Sequence, residues 1–99
     1  MATKSIDDAR DTPQETFAKN VHRITRNIAE MLIKKNASYG DSALNPARIF
    51  SKANREEQLL VRIDDKLSRI QRGHEYAGDD SIRDLIGYLT ILLIARESA

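Results

Sequence analysis

The sequence predicts an all-α protein: a bundle of three helices plus one short helix, with the protomer completed by homo-oligomerisation. Three observations carry this expectation. Apolar residues recur at spacings of three and four over three separate stretches, and each stretch opens on a residue able to cap a helix. One stretch, Leu85 to Ala95, is apolar almost all the way round and needs cover on more than one side. No segment alternates polar and apolar residues as a half-buried strand does, and there are no internal repeats or low-complexity tracts.

Residues 1 to 11 are polar, with Asp7, Asp8 and Asp11 set against Lys4 and Arg10. They read as a mobile arm ahead of a single helical domain over 12 to 99. Thr12-Pro13-Gln14-Glu15 supplies a cap, a proline at the first helical position and a carboxylate three residues after the cap. The first helix therefore starts there. Phe17, Val21, Ile24, Ile28, Met31 and Leu32 form its apolar face, Lys19, Arg23 and Arg26 lie on the other side, and it ends near Asn36.

Between Ala37 and Asn54 the period fails. Tyr39-Gly40-Asp41-Ser42 marks a turn, and Asn45-Pro46 predicts a short helix running through Phe50. Irregular connections longer than about 12 residues are mostly functional or disordered, and Tyr39, Ile49 and Phe50 give this one side chains to pack, which predicts an ordered functional loop. Asn54-Arg55-Glu56-Glu57 repeats the capping pattern. Leu59, Leu60, Ile63, Leu67 and Ile70 then define a second helix over about 55 to 72, which Gly73 terminates. Asp79 is the expected cap of a third helix that carries Asp80 in its first turn and runs to about Arg96. Its apolar stretch falls short of the roughly 20 residues of a membrane span, so it reads as a buried central helix covered in part by a second copy of the chain.

Composition narrows the chemistry. The 99 residues carry 16 Lys plus Arg, 15 Asp plus Glu and no Cys. Disulfides, thiolate zinc sites, iron–sulfur clusters and cysteine nucleophiles are excluded. A chain of this size buries only roughly 65% of its unfolded surface, which favours a site shared between subunits over a deep monomeric cleft. The net charge of +1 provides no global attraction for nucleic acid or membrane. The opening MATKSIDDARD has charges where a signal peptide has an apolar core, so the expected location is cytoplasmic.

Three constellations carry chemistry. On the second helix Arg62, Lys66 and Arg69 fall at spacings of four and three beside the apolar arc, where they can hold phosphate or simply pair with Asp64 and Asp65. On the third helix Asp80, Asp84 and Tyr88 recur every four residues. The two carboxylates can share Mg²⁺, or they can pair with Arg62, Lys66 or Arg69 across a helix interface. In the loop, Lys35 can reach phosphate, Tyr39 can stack on a base and Gly40 permits close backbone approach; alternatively, this is an ordinary helix end with Tyr39 as a packing lid. His22 and His74 have no ligand partner at a telling spacing, and neither a nucleophile elbow nor a glycine-rich phosphate loop is present.

Taken in order, Lys35 through Tyr39-Gly40-Asp41, Arg62-Ile63-Asp64-Asp65-Lys66-Leu67-Ser68-Arg69, and Asp80-Ser81-Ile82-Arg83-Asp84-Leu85-Ile86-Gly87-Tyr88 resemble the nucleotide modification associated domain family. These are small helical proteins of phage and bacteria. The likeness spans roughly residues 17 to 95. That family is itself similar to the all-α, MazG-like nucleotide pyrophosphohydrolases, which cleave nucleoside triphosphates with metal-bound carboxylates. The chain departs from the enzymes' Glu-Glu-x-x-Glu cluster: Glu56-Glu57 is followed by Leu59-Leu60, and Ser38 stands where an acidic residue is expected before Tyr39-Gly40.

The resemblance implies a nucleotide ligand, and the departures favour binding over hydrolysis. Lys35, Arg62, Lys66 and Arg69 are then expected on phosphates, and Tyr39, Gly40 and Tyr88 against base or ribose. A phage origin, also implied by the resemblance, makes sequestration of a host defence signal such as a cyclic nucleotide the natural purpose. The alternatives are a pyrophosphohydrolase using Mg²⁺ on Asp80 and Asp84, with no cofactor expected otherwise, and a helical interaction module with no small ligand.

Overall fold

The computed structural model describes residues 10–73 and 80–98, and they form three helices: α1 (Pro13–Ser38), α2 (Arg55–Arg72) and α3 (Ser81–Glu97). There is no strand among the described residues. The expected arm, apart from Arg10 and Asp11, lies outside the described residues, as do His74 and Asp79.

Local chemistry sets the helix ends. Thr12 Oγ1 accepts from the Glu15 N–H at 3.1 Å while Glu15 Oε1 accepts from the Thr12 N–H at 3.3 Å, so two otherwise unpaired amides are satisfied reciprocally. α1 runs two residues past the expected end. It stops where the Tyr39 N–H closes on the Lys35 carbonyl and Gly40 and Asp41 take left-handed φ values of 66° and 60°. Asn54 Oδ1 accepts from the Glu57 N–H at 2.8 Å to start α2, and Gly73, at φ 69°, ends it. The cap of α3 is Asp80, one residue later than expected, with Oδ1 accepting from the Arg83 N–H at 3.0 Å; the acidic residue of the first turn is therefore Asp84.

The short helix expected after Asn45 does not form. Residues 46–54 make no regular secondary structure. Ala47 to Phe50 amounts to one turn, far below the length at which a helix is stable without packing. Here packing is absent, because Ile49 and Phe50 are 82% and 96% exposed.

α2 and α3 form an antiparallel pair. The start of α2 meets the end of α3 where Arg55 Nη2 donates to the Ala95 carbonyl and Ser98 Oγ, and where Arg96 Nε lies 2.6 Å from Glu56 Oε1. Leu59, Ile63, Leu92 and Ala95 are buried between them, with Leu44, Leu85, Tyr88 and Ile91 packed around. α1 packs on α3 and has no comparable contact with α2. Asn27 meets Arg83 and Leu32 meets Gly87, so α1 and α3 advance in the same sense. Gly87 allows this approach, since a Cβ there would sit 2.8 Å from Leu32 Cδ2.

α3 is buried on one side only. Ile82, Ile86, Leu89 and Leu93, spaced four, three and four, are 40–63% exposed. On α1 the apolar face is open over Phe17, Val21 and Ile24 and closes at the buried Ile28. The radius of gyration of 18.3 Å exceeds the roughly 13 Å of a compact chain of this length. Among the described residues no helix is long and apolar enough to cross a membrane.

Candidate functional site

The end of α1, the loop after it and one face of the α2–α3 pair enclose a cavity of about 390 Å³. That falls within the range of about 300–1,000 Å³ usual for small-molecule sites. Helical spacing places its walls. Met31, Leu32, Lys35 and Asn36 come from the last turns of α1, Arg55, Gln58, Leu59 and Arg62 from one face of α2, and Asp84, Tyr88 and Ile91 from one face of α3. Tyr39, Ser42, Ala43, Pro46 and Ala47 complete it from the loop. The lining combines apolar side chains with three cations, Lys35, Arg55 and Arg62, against one carboxylate, Asp84.

Asn36 organises the loop. Its Nδ2 donates to Asp41 Oδ1 at 2.8 Å, its Oδ1 accepts from the Ala43 N–H at 2.9 Å, and its carbonyl accepts from the Asp41 N–H. With three bonds from one residue, the chain is folded back over the cavity without a helix or strand. Gln58 does similar work on the far side, donating from Nε2 to the Ala53 carbonyl at 2.9 Å.

The charges divide into engaged and unengaged groups. Asp84 stands between two lysines, with Lys35 Nζ 3.6 Å from Oδ1 and Lys66 Nζ 3.3 Å from Oδ2. The Lys66 side chain is only 13% exposed, so this pair is partly shielded from solvent. Arg55 is tethered to the end of α3. Arg62 has no hydrogen bond or ion pair among the described residues, and its five donors remain available. The hydroxyls of Tyr39 and Tyr88 likewise have no hydrogen-bond partner among the described residues.

Of the residues singled out from the sequence, Lys35, Tyr39, Arg62, Asp84 and Tyr88 line this one cavity. Lys66 touches it through Asp84. Gly40 shapes the loop without lining the cavity, and Arg69 turns away to Asp65 Oδ2 at 3.3 Å. Asp80 is not among the lining residues either. The polar lining side chains Asn36, Arg55 and Gln58 are not among the candidate site residues of the sequence. Only Asn36 had a visible signal, as a short amide side chain at a helix end just before Tyr39-Gly40-Asp41.

The donor set does not suit Mg²⁺. Both oxygens of Asp80 serve Arg83, one on its amide and one on Nε at 3.0 Å, while each oxygen of Asp84 faces a lysine. Among the described residues no group of three or more His, Asp or Glu is arranged to hold a metal ion. Glu56 is bound to Arg96. The chain matches no protein-family model, no curated protein and no solved structure.

Proposed function

We propose that this protein binds a nucleotide or nucleotide-derived signal in the cavity without hydrolysing it, as a homo-oligomer. The observation that carries this reading is the convergence of Lys35, Arg62, Tyr39 and Tyr88 from two helices, a loop and a third helix on one partly apolar cavity, with Arg62 unpaired among the described residues. An unpaired guanidinium offers a planar fork for a phosphate. Two tyrosines offer faces for a base, and stacking on an aromatic contributes about 1–3 kcal/mol per base. Arg62 and Lys35 are the phosphate ligands in this reading, Lys66 a reserve cation behind Asp84, and Arg69 a structural partner of Asp65.

Binding without turnover follows from the carboxylates. Hydrolysis needs anionic oxygens free to hold a metal or activate water, and those of Asp80 and Asp84 are already neutralised by cations. Homo-oligomerisation is supported by the two uncovered apolar faces, on α3 over Ile82, Ile86, Leu89 and Leu93 and on α1 over Phe17, Val21 and Ile24. A small non-hydrolysing binder suits sequestration of a signal, and the phage-type resemblance makes a defence-related cyclic nucleotide the first ligand to test.

Native mass spectrometry and calorimetry with a panel of mononucleotides, triphosphates and cyclic dinucleotides test this reading. Intact ligand should be retained by the wild type, and the Lys35→Gln/Arg62→Gln variant should bind at least about tenfold more weakly, as expected for losing charge-assisted hydrogen bonds. Release of pyrophosphate from a triphosphate would overturn it in favour of the enzyme. Absence of any nucleotide-induced rise in melting temperature would leave the interaction module.

A further inference from the structure

A second concavity, sharing no lining residue with the first, lies along the outer face of α1. It measures about 380 Å³ and is lined by Lys19, Arg23, Arg26, Asn27 and Glu30 of α1, with His22 between them, and by Arg83 of α3. Four cations and one carboxylate line it, and with Asp11 and Asp80 paired to Lys19 and Arg83 from beside the groove the uncompensated charge lies on Arg23 and Arg26. No apolar side chain and no Phe, Tyr or Trp lines it, so it offers nothing for an acyl chain to rest on, and its chemistry is mainly that of its cations.

Lys19 is paired with Asp11 Oδ2 at 2.6 Å, and Arg83 with Asp80, whereas Arg23 and Arg26 have no carboxylate partner among the described residues. Arg26 makes no hydrogen bond or ion pair among the described residues, although Glu30 is one turn away. Arg23 Nη2 donates to Asn20 Oδ1 at 3.3 Å, which fixes the guanidinium without neutralising it. Arg83 is oriented across the helix interface, with Nη1 2.6 Å from Asn27 Oδ1 and Nε 3.0 Å from Asp80 Oδ2. A guanidinium positioned in advance loses less freedom on binding an anion, and three arginines present the planar forks that match phosphate oxygens.

We propose that this groove is a separate oligophosphate site, reading the phosphate chain of its ligand and not a base, with Arg23, Arg26 and Arg83 as the binding residues. The same chemistry is offered by free polyphosphate and by the phosphates of a nucleotide, and the probes separate these sources. The site is independent of the cavity proposed to bind nucleotides.

Calorimetry at low ionic strength with tripolyphosphate, ATP and adenosine tests it. Arg26→Gln and Arg23→Gln/Arg26→Gln are the informative variants, because neither residue contributes to the α1–α3 contact; circular dichroism melts should match the wild type. Tripolyphosphate affinity should fall about tenfold or more in Arg23→Gln/Arg26→Gln and stay unchanged in Lys35→Gln/Arg62→Gln, while adenosine should not bind the groove. Equal tripolyphosphate binding by wild type and Arg23→Gln/Arg26→Gln would overturn the proposal. So would loss in the cavity variant alone. ATP bound through the groove much more tightly than tripolyphosphate would overturn the claim that only phosphates are read. Loss of nucleotide binding in the cavity variant with the groove response intact would support two separate sites.

Discussion

The α2–α3 pair and α1 are stabilised in different ways. The pair carries its own core in Leu59, Ile63, Leu92 and Ala95 and is tied at one end by Arg55 and by the Glu56–Arg96 pair. α1 is the longest helix, at 26 residues, yet it packs on one neighbour and leaves Phe17, Val21 and Ile24 uncovered. The difference teaches that helix length and strong capping do not make a helix self-sufficient. Burial does most of the stabilising, and α1 obtains little of it within one protomer.

The largest effect should come from the core of the pair. Ile63→Ala should lower the unfolding free energy by about 2–5 kcal/mol in urea denaturation, taking the cavity with it. Overpacking the α1 contact should cost less and act locally. Gly87→Val, which must displace Leu32, should cost about 1–3 kcal/mol, with amide exchange accelerating in α1 before the pair. If both helices of the pair exchanged equally fast in that variant, α1 would be an integral part of one cooperative unit and the contrast would fail.

Two smaller tests sharpen the contrast. Asn54→Ala should lower global stability by about 1 kcal/mol, whereas Thr12→Ala should fray only the first turn of α1 and leave the main melting transition in place. Leu89→Glu should leave the helical circular dichroism signal intact, because Leu89 is exposed, and should shift the proposed homo-oligomer towards the monomer in native mass spectrometry. Arg96→Gln should change stability least, by less than about 1 kcal/mol, since both partners of its pair with Glu56 are substantially exposed.

Where information is local, the sequence could be read closely. Thr12 with Glu15, Asn54 with Glu57 and the αL glycine Gly73 each act within four residues, and each boundary falls where expected. Asp79 and Asp80 show the limit: both residue types are competent caps and the sequence alone does not separate them, while the observed cap is Asp80. The Asn45–Phe50 turn had a cap and a proline but no neighbour to pack against. For the site, the spacing of Arg62, Lys66 and Arg69 revealed a common stripe but not how far each side chain reaches, so Arg69's preference for Asp65 was decided within its own helix. Arg55 and Gln58 were invisible because their roles depend on the end of α3 and on the loop, both remote from sequence periodicity.

Asp84 has a consequence beyond neutralising charge. Through Lys35 and Lys66 a single carboxylate on α3 holds α1 and α2 together. In the proposed site, a phosphate that engages Lys35 competes with Asp84 for it, so the protein carries its own competitor beside the ligand. To that extent the proposed occupancy by ligand and the clasp between the helices are opposed quantities.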